Sequence, residues 1–321
     1  MKLFDKGSIS YISGARDLFC APETFDFNRF ADRCGNFTFI ERLIDYKMLE
    51  EIREERIVQL ELEDPNRFFT NNPSFHHIDY EHCFSKIFTI CPYTAHWLNQ
   101  HYGNNKRTVV FFPFNENYVP QVTEKKYDII YSGNVLSKEL EESVRSISKF
   151  NYRLVSSKHH LSTDTDANYE KKLMLTAESK ISLVHNILFL DERHIRNVHR
   201  NAPNYRGNEA FRLVPNDSLF GRLKGKIRPR TAIVPQIKSR LMDAAFCKSL
   251  ILCRKDPFNV IEKFFDPITE FVYYEPGELE KKIEEILANY ASYQPIIDRA
   301  YERAMKEYTT KAFYEKYLQV L

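Results

Sequence analysis

From residue 127 onward, apolar runs and amphipathic stretches take turns along the chain. "YDIIYSG" is an apolar run, and "SKELEESVRSISKF" carries its apolar residues at helical spacing. "YRLVSS", "DANYEKKLMLTAES" and "KISLVHNILFL" repeat the sequence of strand, helix, strand. After residue 232 the rhythm resumes with the helix and strand of "IKSRLMDAAFCKSLILC". The helix "PFNVIEKFF", the strand "EFVYYE" and the helix "GELEKKIEEILANY" follow, and then a helical tail from Tyr293 to Leu321. Near-continuous apolar strands separated by helices predict a parallel sheet covered on both faces. The first third is less regular. "SISYIS", "FTFIE", "RIVQLELEDP", "KIFTIC" and "RTVVFFPF" read as strands, and "FNRFADRCG" and "ERLIDYKMLEEIRE" as helices. "PYTAHWLNQHYG" reads as a helix with Pro92 at its start and Gly103 just past its end, the usual punctuation.

Residues 115–126, "NENYVPQVTEKK", are polar and lack apolar periodicity, which marks a linker. The expected division is 1–118, 119–305 and a carboxyl-terminal helix, 306–321, packing back on the first domain. A chain of 321 residues exceeds what one core usually serves, so two α/β domains fit the length. The net charge of +2 argues against nucleic acid as a partner. The six cysteines include no CxxC pair and read as thiols in a reducing compartment. "MKLFDKGSISYIS" is too polar for a secretory leader. No apolar run reaches the roughly 18 residues of a membrane span. The expected location is cytoplasmic, with peripheral contact at a membrane face as one option; the cation-rich "GRLKGKIRPR" reads as a contact for an anionic acceptor or a membrane surface, or as a solvated loop.

Lys238 and Arg240 stand at the entrance of the helix that opens "IKSRLMDAAFCKSLILC", with Asp243 one turn further in. Strand ends in a doubly wound domain are where ligands bind. There, paired cations suit a diphosphate, and a carboxylate accepts hydrogen bonds from the hydroxyls of a ribose. The competing reading is a solvated face with an i,i+3 Arg–Asp pair. The surrounding segment, roughly residues 236–315, resembles the carboxyl-terminal domain of GT-B glycosyltransferases. It is most similar to the spore-coat-protein-like group of family-1-type transferases. Arg240, Asp243, Ala244, Cys247 and "LILC" carry the first part of the likeness, and "FFDP", "FVYYEPGEL" and "EYTT" the rest. Asp243 stands where a glutamate is usual, and Lys248 where a glycine is usual.

The resemblance implies two Rossmann-like domains with a nucleotide-sugar between them. Lys238 and Arg240 would then contact the diphosphate and Asp243 the ribose. Gly133, after the first strand of the second domain, allows close approach of backbone to phosphate, and Lys138 could neutralise it. The alternative there is a plain strand-to-helix turn capped by Ser137. His185 and Asn186 end an apolar run on the same edge. They suit a base or sugar contact, or else a satisfied core histidine. In the first domain Glu61 and Glu63 lie on one face of a strand end, because side chains alternate with period two. Either could be the general base that activates an acceptor hydroxyl, or both could simply belong to an acidic strand end with Asp64 beginning a turn. A weaker likeness to α-1,3-fucosyltransferases matches Glu61 to their base, with Ile237 where their glutamate belongs.

"HHIDYEHC", residues 76–83, does not have a recognised metal-ligand spacing and reads as a polar loop. No D-x-D closes a strand, so no metal site and no cofactor are expected, the nucleotide-sugar being a substrate. The expected partners are that donor and a glycan or glycoconjugate acceptor. Two rival functions are a sugar-nucleotide epimerase on the same fold and a catalytically inactive scaffold. The oligomeric state is not legible in the sequence.

Overall fold

The computed structural model describes residues 2–6, 9–13, 37–42, 56–65, 77–122, 124–191, 209, 212–213 and 231–321. Six strands form the first sheet: β1 (Lys2–Lys6), β2 (Ile9–Ser13), β3 (Phe37–Arg42), β4 (Ile57–Glu61), β5 (Lys86–Thr89) and β6 (Arg107–Val109). They lie in sequence order, with β1 antiparallel to β2 and all later neighbours parallel. The helix α1 (Pro92–Tyr102) joins β5 to β6. Pro92 sits in its first turn, where no amide is needed, and Gly103 closes it in the left-handed conformation at φ 60°. The helices expected at "FNRFADRCG" and over residues 43–55 lie outside the described residues, as does "GRLKGKIRPR".

The second sheet begins at residue 127. It contains β7 (Tyr127–Ser132), β8 (Tyr152–Val155) and β9 (Ser179–Val184). Next in the chain come β10 (Ile187–Asp191), β11 (Arg212–Leu213) and β12 (Thr231–Pro235), a small antiparallel sheet in the order β10-β12-β11. β13 (Leu250–Arg254) and β14 (Val272–Tyr274) complete the second sheet in the order β14-β13-β9-β7-β8, parallel throughout. The expectation of one long strand over "KISLVHNILFL" is corrected. The run breaks at His185–Asn186, where the Asn186 carbonyl accepts the Gln236 amide at 2.7 Å and the chain leaves for the small sheet. Both halves are apolar, so hydropathy alone does not locate the break.

The connecting helices are α2 (Lys138–Ile147), α3 (Tyr169–Ala177), α4 (Arg240–Phe246), α5 (Leu279–Ala288), α6 (Gln294–Glu307) and the short α7 (Thr310–Phe313). Ser137 and Asn168 cap α2 and α3 by accepting the amides of Leu140 and Lys171. "PFNVIEKFF" is shorter than expected, a 3₁₀ helix over Val260–Lys263, because Asp256 ties the Phe258 and Asn259 amides into a turn at 2.8 and 3.0 Å.

One face of the second sheet is closed by Leu140, Val144, Ile283 and Ile286 from α2 and α5. The other joins the first sheet in a continuous core. Leu60, Phe88 and Phe111 meet Leu241, Phe246, Ala300 and the tail residues Tyr308, Phe313 and Tyr317. Phe114, past β6, stacks on Phe246 of α4 with ring centroids 4.1 Å apart. In the polar stretch between the sheets, Lys125 places its ammonium on three backbone carbonyls, those of Ala177, Ser179 and Lys248. Among the described residues no helix is long and apolar enough to cross a membrane.

Candidate functional site

Arg240 begins α4 and reaches the carboxyl end of β7. Its Nη1 donates to the Tyr131 hydroxyl at 2.8 Å, and its guanidinium carbon lies 4.8 Å from the Tyr131 ring centroid. Gly133 adopts φ 139°, and a β-carbon added there would fall 2.4 Å from Arg240 Nη2. The missing side chain at Gly133 therefore makes room for the guanidinium itself. Burial raises the Tyr131 hydroxyl above the usual phenol range, only partly offset by Arg240, so the partner of the guanidinium is a neutral hydroxyl. Among the described residues no carboxylate lies within ion-pair distance of Arg240. Its charge is held in place by a π face and a hydroxyl, which leaves it available to an anion.

Lys238 sits two residues earlier, between β12 and α4, and points at the first domain. Its ammonium is 2.6 Å from Glu63 Oε2. Gln236, buried beside it, donates from Nε2 to both the Glu63 carbonyl and Glu63 Oε2 at 3.2 Å. Glu63 follows β4, so a carboxylate of one domain and a cation of the other converge at the ends of their sheets. Glu61 behaves differently. It is 1% exposed, and its Oε1 accepts the Glu63 amide at 2.8 Å. The assignment of Glu61 as the base does not fit this placement, because its carboxylate closes the turn that presents Glu63. Asp64 is also buried, and accepts the Thr89 hydroxyl at 2.8 Å.

Asp243 is a correction too. It is 2% exposed, with Oδ1 accepting the Tyr169 hydroxyl at 2.8 Å and Oδ2 paired with Lys172 at 2.7 Å. Both partners belong to α3, so the carboxylate bolts α4 to α3 rather than facing a ribose, and the expected i,i+3 pair with Arg240 does not form either. Removing one member of a buried pair costs about 3–5 kcal/mol. Lys172 retains some access to water, so Asp243→Asn is expected to lower stability by about 2–3 kcal/mol, read as a lower urea midpoint. Unchanged stability with weakened nucleotide binding would restore the ribose role. Lys248, where a glycine is usual, has φ 50°, the conformation that favours glycine, with its ammonium 4.4 Å from the Tyr301 ring centroid.

His185 follows β9 directly, within the electrostatic reach of two arginines. Its Nε2 is 2.7 Å from the Tyr274 hydroxyl. Burial first, and then the charges of Arg240 and Arg254, push its pKa down to about 3. It is a neutral ring in the folded chain, whereas in the unfolded chain it takes a proton near pH 6.5. The unfolded state therefore binds the extra proton as pH falls below about 6.5, and stability declines from there toward pH 3. At pH 5 this component reaches about 2 kcal/mol. Urea midpoints measured at pH 7 and pH 5 are expected to fall less for His185→Gln than for the parent chain. An equal fall would remove His185 from the acid response. Asn186 is buried, with its Nδ2 3.5 Å from Cys253 Sγ and, among the described residues, no hydrogen-bond partner on its Oδ1.

Next to His185, a cavity of about 930 Å³ opens at the ends of β13 and β14, lined among others by Ser137, Phe189, Arg254, Tyr274 and Gly277. Arg254 is 8% exposed and forms an ion pair with Glu139 of α2. Lys138 lines the same cavity, but its side chain is 92% exposed and 4.0 Å from Glu142, so it does not join Arg240 and Lys238. The structure thus brings Gly133, Arg240, Lys238 and Glu63 toward one region and His185 to its flank, and turns Asp243 and Glu61 away. Tyr131, Gln236 and Arg254 were not singled out in the sequence. In "YDIIY" and "SLILCR" the first and last look like ordinary strand residues. His76 and the side chains of residues 77–79 lie outside the described residues, and Cys83 Sγ is 3.3 Å from His82 Nε2. Among the described residues, Cys83, Cys91, Cys247 and Cys253 form no disulfide with one another.

Residues 223–319 match a family model described as glycosyl transferase-like. No curated protein matches the chain. Among solved structures, sucrose-phosphate synthase from Thermosynechococcus elongatus superimposes with a TM-score of 0.57 at 9% identity, over 89% of this chain and 73% of that one. HepE from Anabaena, solved with UDP and glucose, gives 0.54 at 10% identity, over 87% and 76%. TarM of S. aureus, solved with UDP, fondaparinux and alpha-GlcNAc-glycerol, gives 0.55 at 7% identity, over 91% and 57%. These neighbours are GT-B glycosyltransferases. The chain has the GT-B fold. It spans 57% of that TarM structure and 56% of the pneumococcal O-GlcNAc transferase GtfA. In this GT-B chain the two large sheets are the two halves of the fold, and the matched segment holds Lys238, Arg240 and Arg254.

Proposed function

We propose that the chain transfers a sugar from a nucleotide-sugar to a hydroxyl of a glycan or glycoconjugate. The observation that carries this reading is an Arg240 charge that has no carboxylate partner among the described residues, two residues from a Lys238 ammonium that meets the Glu63 carboxylate of the other half. Solved GT-B neighbours with UDP and a sugar bound support the donor class. The diphosphate lies against Arg240 and Lys238, and the nucleoside enters the cavity lined by Phe189, Arg254 and Tyr274. Lys238 exchanges Glu63 for the diphosphate. Its pair with Glu63 is partly solvated, and such pairs contribute only about 0–1 kcal/mol. Glu63 then takes the proton of the acceptor hydroxyl while that oxygen attacks the anomeric carbon. The bond from that carbon to the diphosphate breaks, and the two cations hold the charge that leaves.

Thermal unfolding in the presence of UDP, GDP, CDP and their sugars tests the donor class, since a ligand of the native state raises stability by mass action. One nucleotide diphosphate is expected to raise Tm, and turnover with its sugar is expected to require an acceptor and to persist in excess EDTA. Turnover without an acceptor would indicate an epimerase, and no shift with any nucleotide a scaffold. Loss of turnover in EDTA, restored by Mg²⁺ or Mn²⁺, would take the leaving-group role from Lys238 and Arg240.

A further inference from the structure

At the edge of the second sheet, away from the junction, two adjacent histidines meet a carboxylate. Glu141 lies in the first turn of α2, and His159 and His160 lie in the connection from β8 to α3. One ligand atom from each of the three lies within 4.8 Å of the others, and among the described residues this is the only such group of three. The Leu161 amide donates to His159 Nδ1 at 3.2 Å, so Nδ1 is the accepting nitrogen and the ring proton sits on Nε2. That nitrogen, Nε2, is 2.6 Å from Glu141 Oε2. Arg145 holds the opposite oxygen, Oε1, at 3.3 Å and leaves Oε2 turned to the ring. The His159 side chain is 8% exposed, so its orientation is set by its surroundings, while His160 stands at the rim with its ring centroid 4.5 Å from that of His159.

We propose that Glu141, His159 and His160 bind a transition-metal ion, with zinc the best match to two imidazoles and a carboxylate. On binding, the ring proton of His159 moves from Nε2 to Nδ1, where water accepts it as the Leu161 amide turns away; Nε2 and Glu141 Oε2 each give a lone pair to the ion, and His160 supplies the third ligand. Water takes the position open to the surface. The site joins two segments that flank Gly133. α2 begins five residues after Gly133, and the Gly133 amide donates to the carbonyl of Val155, the last residue of β8, at 2.9 Å. The metal is therefore a staple that fixes the β8–α3 connection to α2, outside the reaction itself.

Calorimetric titration of the full chain with ZnCl₂ is expected to show a single equivalent bound. Affinity should fall as pH drops through the histidine range, because the ligands must lose a proton. A saturating excess of zinc is expected to raise Tm by a few degrees. His160→Ala changes an exposed side chain, and His159→Gln retains a hydrogen-bond donor toward Glu141, so both variants are expected to fold. Each is expected to weaken zinc binding at least about tenfold and to abolish the Tm shift. Cobalt is expected to give ligand-field bands without a thiolate charge-transfer band, which separates this site from the His82–Cys83 pair. Absence of zinc binding, full binding by both variants, or a thiolate band would overturn the proposal. Because zinc is titrated without nucleotide, none of these outcomes depends on the transferase reading.

Discussion

Arg240→Ala is expected to weaken binding of the nucleotide diphosphate by about 1.5–3 kcal/mol, the range for a hydrogen bond to a charged group. That is roughly a tenfold to hundredfold loss, since about 1.4 kcal/mol corresponds to a factor of ten. Folding should survive, because alanine is the best helix former at the start of α4. Tyr131→Phe is the graded companion. It removes the hydroxyl that Arg240 contacts at 2.8 Å but leaves the ring beneath the guanidinium, so a smaller loss in the same direction is expected. Isothermal titration of both variants decides the matter. Wild-type affinity in folded Arg240→Ala would take the guanidinium out of the site, and the observation on which the donor reading rests would go with it.

Glu63→Gln carries the largest effect. Glutamine retains the shape of the side chain and a hydrogen-bonding oxygen near Lys238, but it cannot accept the acceptor's proton. Loss of a general base lowers turnover by about 10²–10⁴-fold. Nucleotide affinity should hold or improve, because a carboxylate that competes for Lys238 is gone. Glu61→Gln separates the two acids. Glu61 is buried and accepts the Glu63 amide, so its amide variant should lower stability and alter turnover only through the placement of Glu63. A loss of only a few-fold in Glu63→Gln would favour displacement from the front side, with the diphosphate itself taking the proton and the anomeric configuration retained.

The rhythm of the second half was legible because buried parallel strands are apolar end to end, while their covering helices are apolar on one stripe only. The helix at residues 92–102 was legible for a different reason, since Pro92 and Gly103 punctuate it chemically. What lay beyond the sequence were partners distant along the chain. Asp243 has the spacing of a ribose ligand, yet Tyr169 and Lys172, more than seventy residues earlier, hold both of its oxygens. Gly133 reads in the sequence as a place where backbone could approach a phosphate, and the group found beside it in the structure, the Arg240 guanidinium, comes from more than a hundred residues later. Glu61 and Glu63 alternate as a strand would have them. The strand ends at Glu61, and Glu63, in the turn after it, reaches Gln236 and Lys238 of the other half.

The carboxyl-terminal segment closes the core of the first half. Phe313 and Tyr317 lie 5.5 and 5.7 Å from the ring of Phe111, and both also contact Phe88 of β5. The isolated bridge from Phe114 to Thr309 threads the same seam. During synthesis, β4, β5 and β6 emerge long before the residues that cover them, while the whole second sheet is made in between. Nascent chains therefore lack the Phe313 and Tyr317 rings on Phe88 and Phe111 through most of translation, and this part of the core is completed only after the second sheet has been made. Domains usually fold in the order in which they are made. Here the first half receives its last aromatic contacts from the last residues made, and the interval before they arrive is when a chaperone would have its longest access to those rings.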